Sequence, residues 1–261
     1  MIVPVRQSGA RPPVFLVHGL YGVSSHSIAF AQALTPDRPF FAVFARGLDG
    51  SERPCASAAE MAANYAQEVR AVEPNGPYAL VGQCAGGLLV VEIARALSAA
   101  GASLASVLLI DPPPLPFPDQ RYRFADSHPR VLQQLYDNAL DAFRRKDASA
   151  NLPFDLHDPR QMHIAASVAV QTAAALSGYQ PGPYSGAIDL IVSAKRASAF
   201  SQSGLPWQNI LLGPRRVHVL PGDHFAVTRE QFGELLRLMR LVLDGSADPA
   251  ATVAMDVRAL L

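Results

Sequence analysis

Tyr78-Ala79-Leu80-Val81-Gly82-Gln83-Cys84-Ala85-Gly86-Gly87 runs from an apolar, strand-like stretch directly into a helical pattern that continues to residue 100. A nucleophile elbow needs this context: a strand, a sharp turn carrying one reactive side chain, then a helix. Small residues at 82, 86 and 87 allow the tight turn and the close helix–strand approach. Cys84 then projects from the turn, and the N–H of Ala85 faces a reacting carbonyl. A thiol above a helix N-terminus, with an imidazole beside it, is favoured as thiolate. The same stretch also fits an inactive turn in which Cys84 is only a small buried side chain.

Working outward, similar apolar runs recur at 14–17, 40–44, 106–110, 187–192 and 216–220, with the elbow strand at 78–82. Nearly continuous apolar character suits strands of a parallel sheet covered on both faces. Helical patterns lie between them at 28–34, 57–72, 85–100 and 229–243. Ser57 and Glu60 form a capping-box signature, and Gly101 stops the helix that follows the elbow. The alternation predicts a doubly wound α/β sheet with ligands at the carboxyl ends of its strands. One stretch departs from it. After Asp111-Pro112-Pro113-Pro114 come two helical patterns, 129–146 and 159–177, before strand character returns. Residues 115–184 are read as a helical insertion over the sheet, with a pair of ordinary crossover helices as the alternative. The Ala-rich stretch 246–261 reads as a loosely packed, linker-like tail.

Composition narrows the class. The 261 residues carry 22 basic and 22 acidic side chains, 17% charged and 49% apolar residues. This is the profile of one folded domain rather than a disordered chain. Zero net charge and no basic stripe argue against a nucleic-acid partner. No apolar run is long enough to span a membrane, the N-terminus does not read as a signal peptide, and two cysteines make no disulfide framework. A cytoplasmic setting is the expectation.

Three further pieces fit the elbow. His224, in Pro221-Gly222-Asp223-His224-Phe225, follows the last strand, where a general base is expected. Asp223 is a poor acid for it, because adjacent side chains diverge. The loop after the preceding strand, Ser193 to Phe200, holds no carboxylate. Asp111 instead ends the strand after the elbow helix, on the edge Cys84 occupies, where it can orient His224; a turn-forming Asp before proline is the bland reading. Val17-His18-Gly19-Leu20-Tyr21-Gly22 follows the first strong strand and offers a second oxyanion donor, the N–H of Leu20. His18 is read as ordering that loop rather than as a second base.

With these residues in view, the chain resembles the type I thioesterase domains of nonribosomal peptide and polyketide synthetases. The resemblance runs from Pro12-Pro13-Val14-Phe15-Leu16-Val17-His18-Gly19 to the helix after His224, and includes Leu109-Ile110-Asp111 and the segment 179–190 followed by Trp207. It implies an α/β-hydrolase fold with a helical lid at 115–184. It implies a Cys84–His224–Asp111 triad and an acyl-enzyme. The substrate would be an acyl or peptidyl thioester on the phosphopantetheine arm of an upstream carrier protein, with no metal or other cofactor bound by the domain itself. Release would be by cyclisation or by hydrolysis. Most such domains carry serine where Cys84 stands. Those with cysteine include domains that close strained four-membered rings, the β-lactam of sulfazecin and the β-lactone of obafluorin. Dienelactone hydrolases also use Cys, His and Asp on this fold, but with the acid in the later loop, as in stand-alone editing thioesterases. A non-catalytic scaffold is the third alternative.

Overall fold

A computed structural model describes residues 1–24, 26–115, 129–144, 152, 155, 157–202 and 207–244. Seven strands form its sheet: β1 (Ile2–Arg6), β2 (Val14–Val17), β3 (Phe40–Val43), β4 (Tyr78–Gln83), β5 (Leu104–Ile110), β6 (Ile188–Ser193) and β7 (Arg215–Leu220). Their spatial order is β1-β3-β2-β4-β5-β6-β7. All neighbours pair in parallel except β1, which runs antiparallel to β3. The elbow strand β4 is therefore central.

Alternating side chains of these strands feed two cores. Phe15, Val17, Tyr78 and Leu80 pack against α2 (Ala58–Val72) and α3 (Gly86–Ala99). Val14, Leu16, Ala79 and Val81 pack on the other face against α1 (Ser27–Ala33) and α9 (Phe232–Leu243). Burial of each large apolar side chain contributes about 1.5–3 kcal/mol, which is why strands apolar on both faces belong in the middle of the stack. The mostly parallel, doubly covered sheet is that of an α/β-hydrolase, as anticipated.

α2 begins as its sequence predicts. Ser57 Oγ accepts the Glu60 N–H (3.1 Å), and the Glu60 carboxylate accepts the N–H of Ala56 (2.7 Å). Between β5 and β6 lie α4 (Pro129–Arg144) and α5 (Pro159–Leu176), the latter capped by Asp158. Their apolar faces meet residues of the β2–α1 and β3–α2 connections, including Val23, Phe44, Ala45 and Leu48. A smaller cluster joins Leu135 of α4 and Ala173 of α5 to Leu20. The expected insertion lies partly, and the expected tail at 246–261 wholly, outside the described residues.

The structure differs from the sequence reading in three places. β1 was not anticipated, because Pro4 interrupts its pattern; on an edge strand the missing N–H costs nothing in the ladder. Residues after Ser193 form a helix, α6 (Ala194–Gln202), rather than a loop, and the short α7 (Trp207–Ile210) follows. The final helical pattern begins at Phe232, while His224 opens a separate short helix, α8 (His224–Val227).

Candidate active site

The turn after β4 brings the site together. Cys84 adopts φ of 53°, a left-handed conformation that costs a non-glycine residue about 1–2 kcal/mol. Its N–H donates to Ile110 O (2.9 Å), and its carbonyl accepts from Gly87 (2.9 Å), so the turn is held from both sides. A Cβ on Gly82 would lie 2.6 Å from Gly86 O, and one on Gly86 would collide with His18 O and Val17 O. One on Gly87 would press on Pro112 at 3.1 Å. The glycines thus let α3 approach both β4 and the loop carrying Leu20. Gln83 ends β4 beside Cys84, half-buried.

Asp111 is the second non-glycine residue with positive φ, at 45°. It is buried at the end of β5, and its N–H donates to Ile191 O (2.7 Å). Asp111 Oδ1 accepts the N–H of Ser193 (2.7 Å). Asp111 Oδ2 pairs with His224 Nδ1 (2.6 Å) and with Arg196 Nε (3.0 Å). His224 also interacts electrostatically with Cys84, so the imidazole stands between the thiol and Asp111. Asp223 does not join it: its carboxylate caps α8 through the N–H groups of Phe225 and Ala226 (3.0 and 3.2 Å).

Electrostatics follow from these contacts. Burial resists ionisation of the half-exposed Cys84 thiol. The hydrogen bond and charge of His224, the Arg196 cation and the Ala85 amide outweigh it, and the thiol falls below its ordinary range. Burial likewise disfavours the His224 cation, but Asp111 and Cys84 push it up to about 9. Asp111, opposed by burial, is held below the usual carboxylate range by His224, Arg196 and Ser193. Thiol down and imidazole up are the two shifts that favour a thiolate–imidazolium pair over the neutral one.

Ala85 is fully buried at the start of α3, directly after Cys84, and its amide helps lower the thiol. Leu20 is half-buried in the facing loop. That loop is ordered by His18, wholly buried, whose Nδ1 lies 2.8 Å from Gly19 O and whose Nε2 lies 2.8 Å from the Tyr65 hydroxyl. Desolvation lowers its pKa to about 4, so it stays neutral, donating to the carbonyl and accepting from tyrosine. Trp207, also buried, donates its indole N–H to Pro113 O (2.9 Å) and fastens the chain after Asp111. Ser193 and Arg196 were not singled out by sequence. The only signal was a Ser-x-x-Arg spacing directly after a strand, whose Ser193 Oγ accepts the Arg196 N–H (3.3 Å). Among the described residues no His, Cys, Asp or Glu cluster could hold a metal, and no helix is long and apolar enough to cross a membrane.

Comparison with known proteins gives the chain a family. The model of the thioesterase domain family matches residues 12–241. Atromentin synthetase of Tapinella panuoides is 24% identical over 251 residues, 87% of this chain and 26% of that protein. The matched regions are 2% to 26% of the first three curated relatives, all of them synthetases. The NocB thioesterase domain, solved in covalent complex with a fluorophosphonate nocardicin G analog, superposes with a TM-score of 0.68 at 23% identity, covering 93% of this chain and 99% of that one. SrfTE, the thioesterase domain described in the cyclization of the lipopeptide antibiotic surfactin, gives 0.66 at 17%, covering 91% and 95%. At these identities the likeness is one of fold. Domains of this kind act on substrates carried on a phosphopantetheine arm and need no cofactor of their own. The family match spans the elbow, Asp111 and His224 together, and the chain belongs to the thioesterase domain family.

Proposed function

We propose that the chain is a terminal thioesterase that takes an acyl or peptidyl chain from an upstream carrier protein onto Cys84 and releases it by intramolecular cyclisation, with hydrolysis as the competing outcome. The observation that carries this reading is the Cys84–His224–Asp111 arrangement on a strained elbow, within a thioesterase-family chain. The synthetase relatives support the carrier-bound substrate, the NocB covalent complex supports a covalent intermediate, and SrfTE supports ring closure.

The Cys84 thiolate, its proton on His224, attacks the thioester carbonyl. The tetrahedral oxyanion is held by the amides of Ala85 and Leu20. The bond to the carrier's sulfur breaks, and that sulfur takes the proton from His224. Neutral His224 then accepts a proton from the substrate's own amine or hydroxyl, or from water, as that nucleophile displaces Cys84. The helices α4 and α5 act as a lid over the Leu20 loop. Cysteine keeps the acyl group as a thioester, whose leaving group is better than an alkoxide. That favours weak or geometrically constrained nucleophiles, among them those that close a β-lactam or β-lactone.

Intact-mass spectrometry with butyryl-N-acetylcysteamine tests the core of this reading. An acyl adduct on the wild type that is absent in Cys84→Ala is expected, and no adduct from any acyl thioester favours a scaffold. With the native carrier-bound chain, Cys84→Ser should lower the ring-to-acid product ratio severalfold. An unchanged rate and ratio refutes the role given to sulfur.

A further inference from the structure

After the strand preceding the histidine strand, this chain has Ser193-Ala194-Lys195-Arg196 and no carboxylate. The structure shows those residues turned to the site. The Ser193 amide donates to Asp111 Oδ1 (2.7 Å), and the Arg196 guanidinium meets Asp111 Oδ2 at 3.0 Å, the oxygen that also faces His224. The Lys195 N–H donates to Gly222 O (3.1 Å), which ties the start of α6 to the loop bearing His224. Arg196 is mostly buried, with its side chain 16% exposed, and among the described residues its buried Nη1 has no hydrogen-bond partner. A largely desolvated cation beside a carboxylate needs a reason beyond stability, since such pairs contribute little net energy.

We infer that Arg196 is a positioning and charge-balancing residue. It offsets part of Asp111's negative charge, so that His224 stays unprotonated once Cys84 is acylated. This rests on the proposed acyl-enzyme. In the free enzyme the thiolate and Asp111 both hold the proton on His224. Acylation transfers that proton to the departing carrier thiol and leaves the Cys84 sulfur uncharged in a thioester. Asp111 alone would recharge His224 from solvent and block it as a base. The Arg196 cation opposes recharging, since a like charge nearby disfavours the imidazolium.

The charged groups facing His224 are Asp111 from β5, Cys84 from the elbow and Arg196 from α6. On its own segment, Asp223 is engaged by amides, and Arg229 lies over the Phe225 ring (5.5 Å). With Cys84 neutralised, Arg196 is the counterweight to Asp111.

The test follows release of the butyryl group from Cys84 across pH, in wild type, Arg196→Gln and Arg196→Lys. Release requires neutral His224, so its rate rises through the His224 titration. Loss of the cation in Arg196→Gln should move that rise upward by about one pH unit, slowing release near neutrality by up to tenfold, while Arg196→Lys should hold it near the wild-type position. A rise that does not move in Arg196→Gln, or moves equally in both variants, overturns the inference. If Arg196→Gln does not fold, the wild type decides. With Cys84 capped by iodoacetamide, NMR titration of His224 should fall from about 9 to neutrality or below, and a midpoint that stays high refutes the proposal. Absence of any butyryl adduct on wild-type Cys84 is a different result, and sinks the acyl-enzyme reading itself.

Discussion

Cys84 and Asp111 both hold left-handed backbone without being glycine, and both are fixed there by hydrogen bonds into a neighbouring strand. Strain at two facing strand ends persists only where the surroundings over-determine it. Here the strain aims a sulfur and a carboxylate at one imidazole. His224 is what lowers the thiol, against burial that raises it. His224→Ala should therefore move the Cys84 titration upward. Iodoacetamide alkylation near neutrality should slow about tenfold or more, while the thiolate absorbance near the ultraviolet edge appears only at higher pH. A second residue-scale prediction concerns His18. Tyr65→Phe leaves the wholly buried Nε2 of His18 without its donor, which should cost about 1–3 kcal/mol in urea unfolding. The acylation rate should fall with it, since the Leu20 loop depends on that histidine.

Among elements, the approach of α3 to the β2–α1 loop decides whether the site is assembled. Gly86→Ala puts a methyl into the carbonyls of His18 and Val17, and overpacking of this kind costs about 1–3 kcal/mol. The loop would have to shift, and a misplacement of about 1 Å can cost about a hundredfold in rate. Gly101→Ala is the contrast: nothing lies near its Cβ, and only its φ of 78° is strained. It should lose about 1 kcal/mol and keep its rate; equal losses of rate in both variants would refute the close-approach argument. The elbow, its glycines, His224 and the strands around them were legible because burial on both faces and tight turns leave direct compositional traces. Two elements were not. β1 contains Pro4, which suits an edge and hides the strand pattern. α6 has only Ser193's cap to announce it, since Lys195, Arg196 and Ser198 break any apolar period; Arg196 was thereby missed. Pairing of Asp111 with His224 was inferred by position rather than from residue type, because it depends on two strands that lie far apart in sequence.

At the scale of the whole molecule, the proposed choice between ring closure and water is assigned to α4 and α5. Leu135 of α4 and Ala173 of α5 are buried against Val131, Leu132, Val170 and Leu20, so one apolar cluster links both helices to the loop assigned to the oxyanion. In the proposed acyl-enzyme, a lid held this way would exclude water from the thioester and give a tethered nucleophile time to fold back. Leu135→Ala should remove about 2–5 kcal/mol of that packing, partly as a cavity and partly as a looser lid. The sheet, the elbow and the His224–Asp111 contact lie outside this cluster and only Leu20 of the acylating groups touches it, so acylation of Cys84 by butyryl-N-acetylcysteamine should slow less than the product ratio shifts. With a carrier-bound native chain the acid should grow at the expense of the ring, and the acyl-enzyme should empty faster. A variant that acylates normally yet releases an unchanged product ratio would show that the α4–α5 cluster is packing alone, and that partitioning is set at Cys84 and His224.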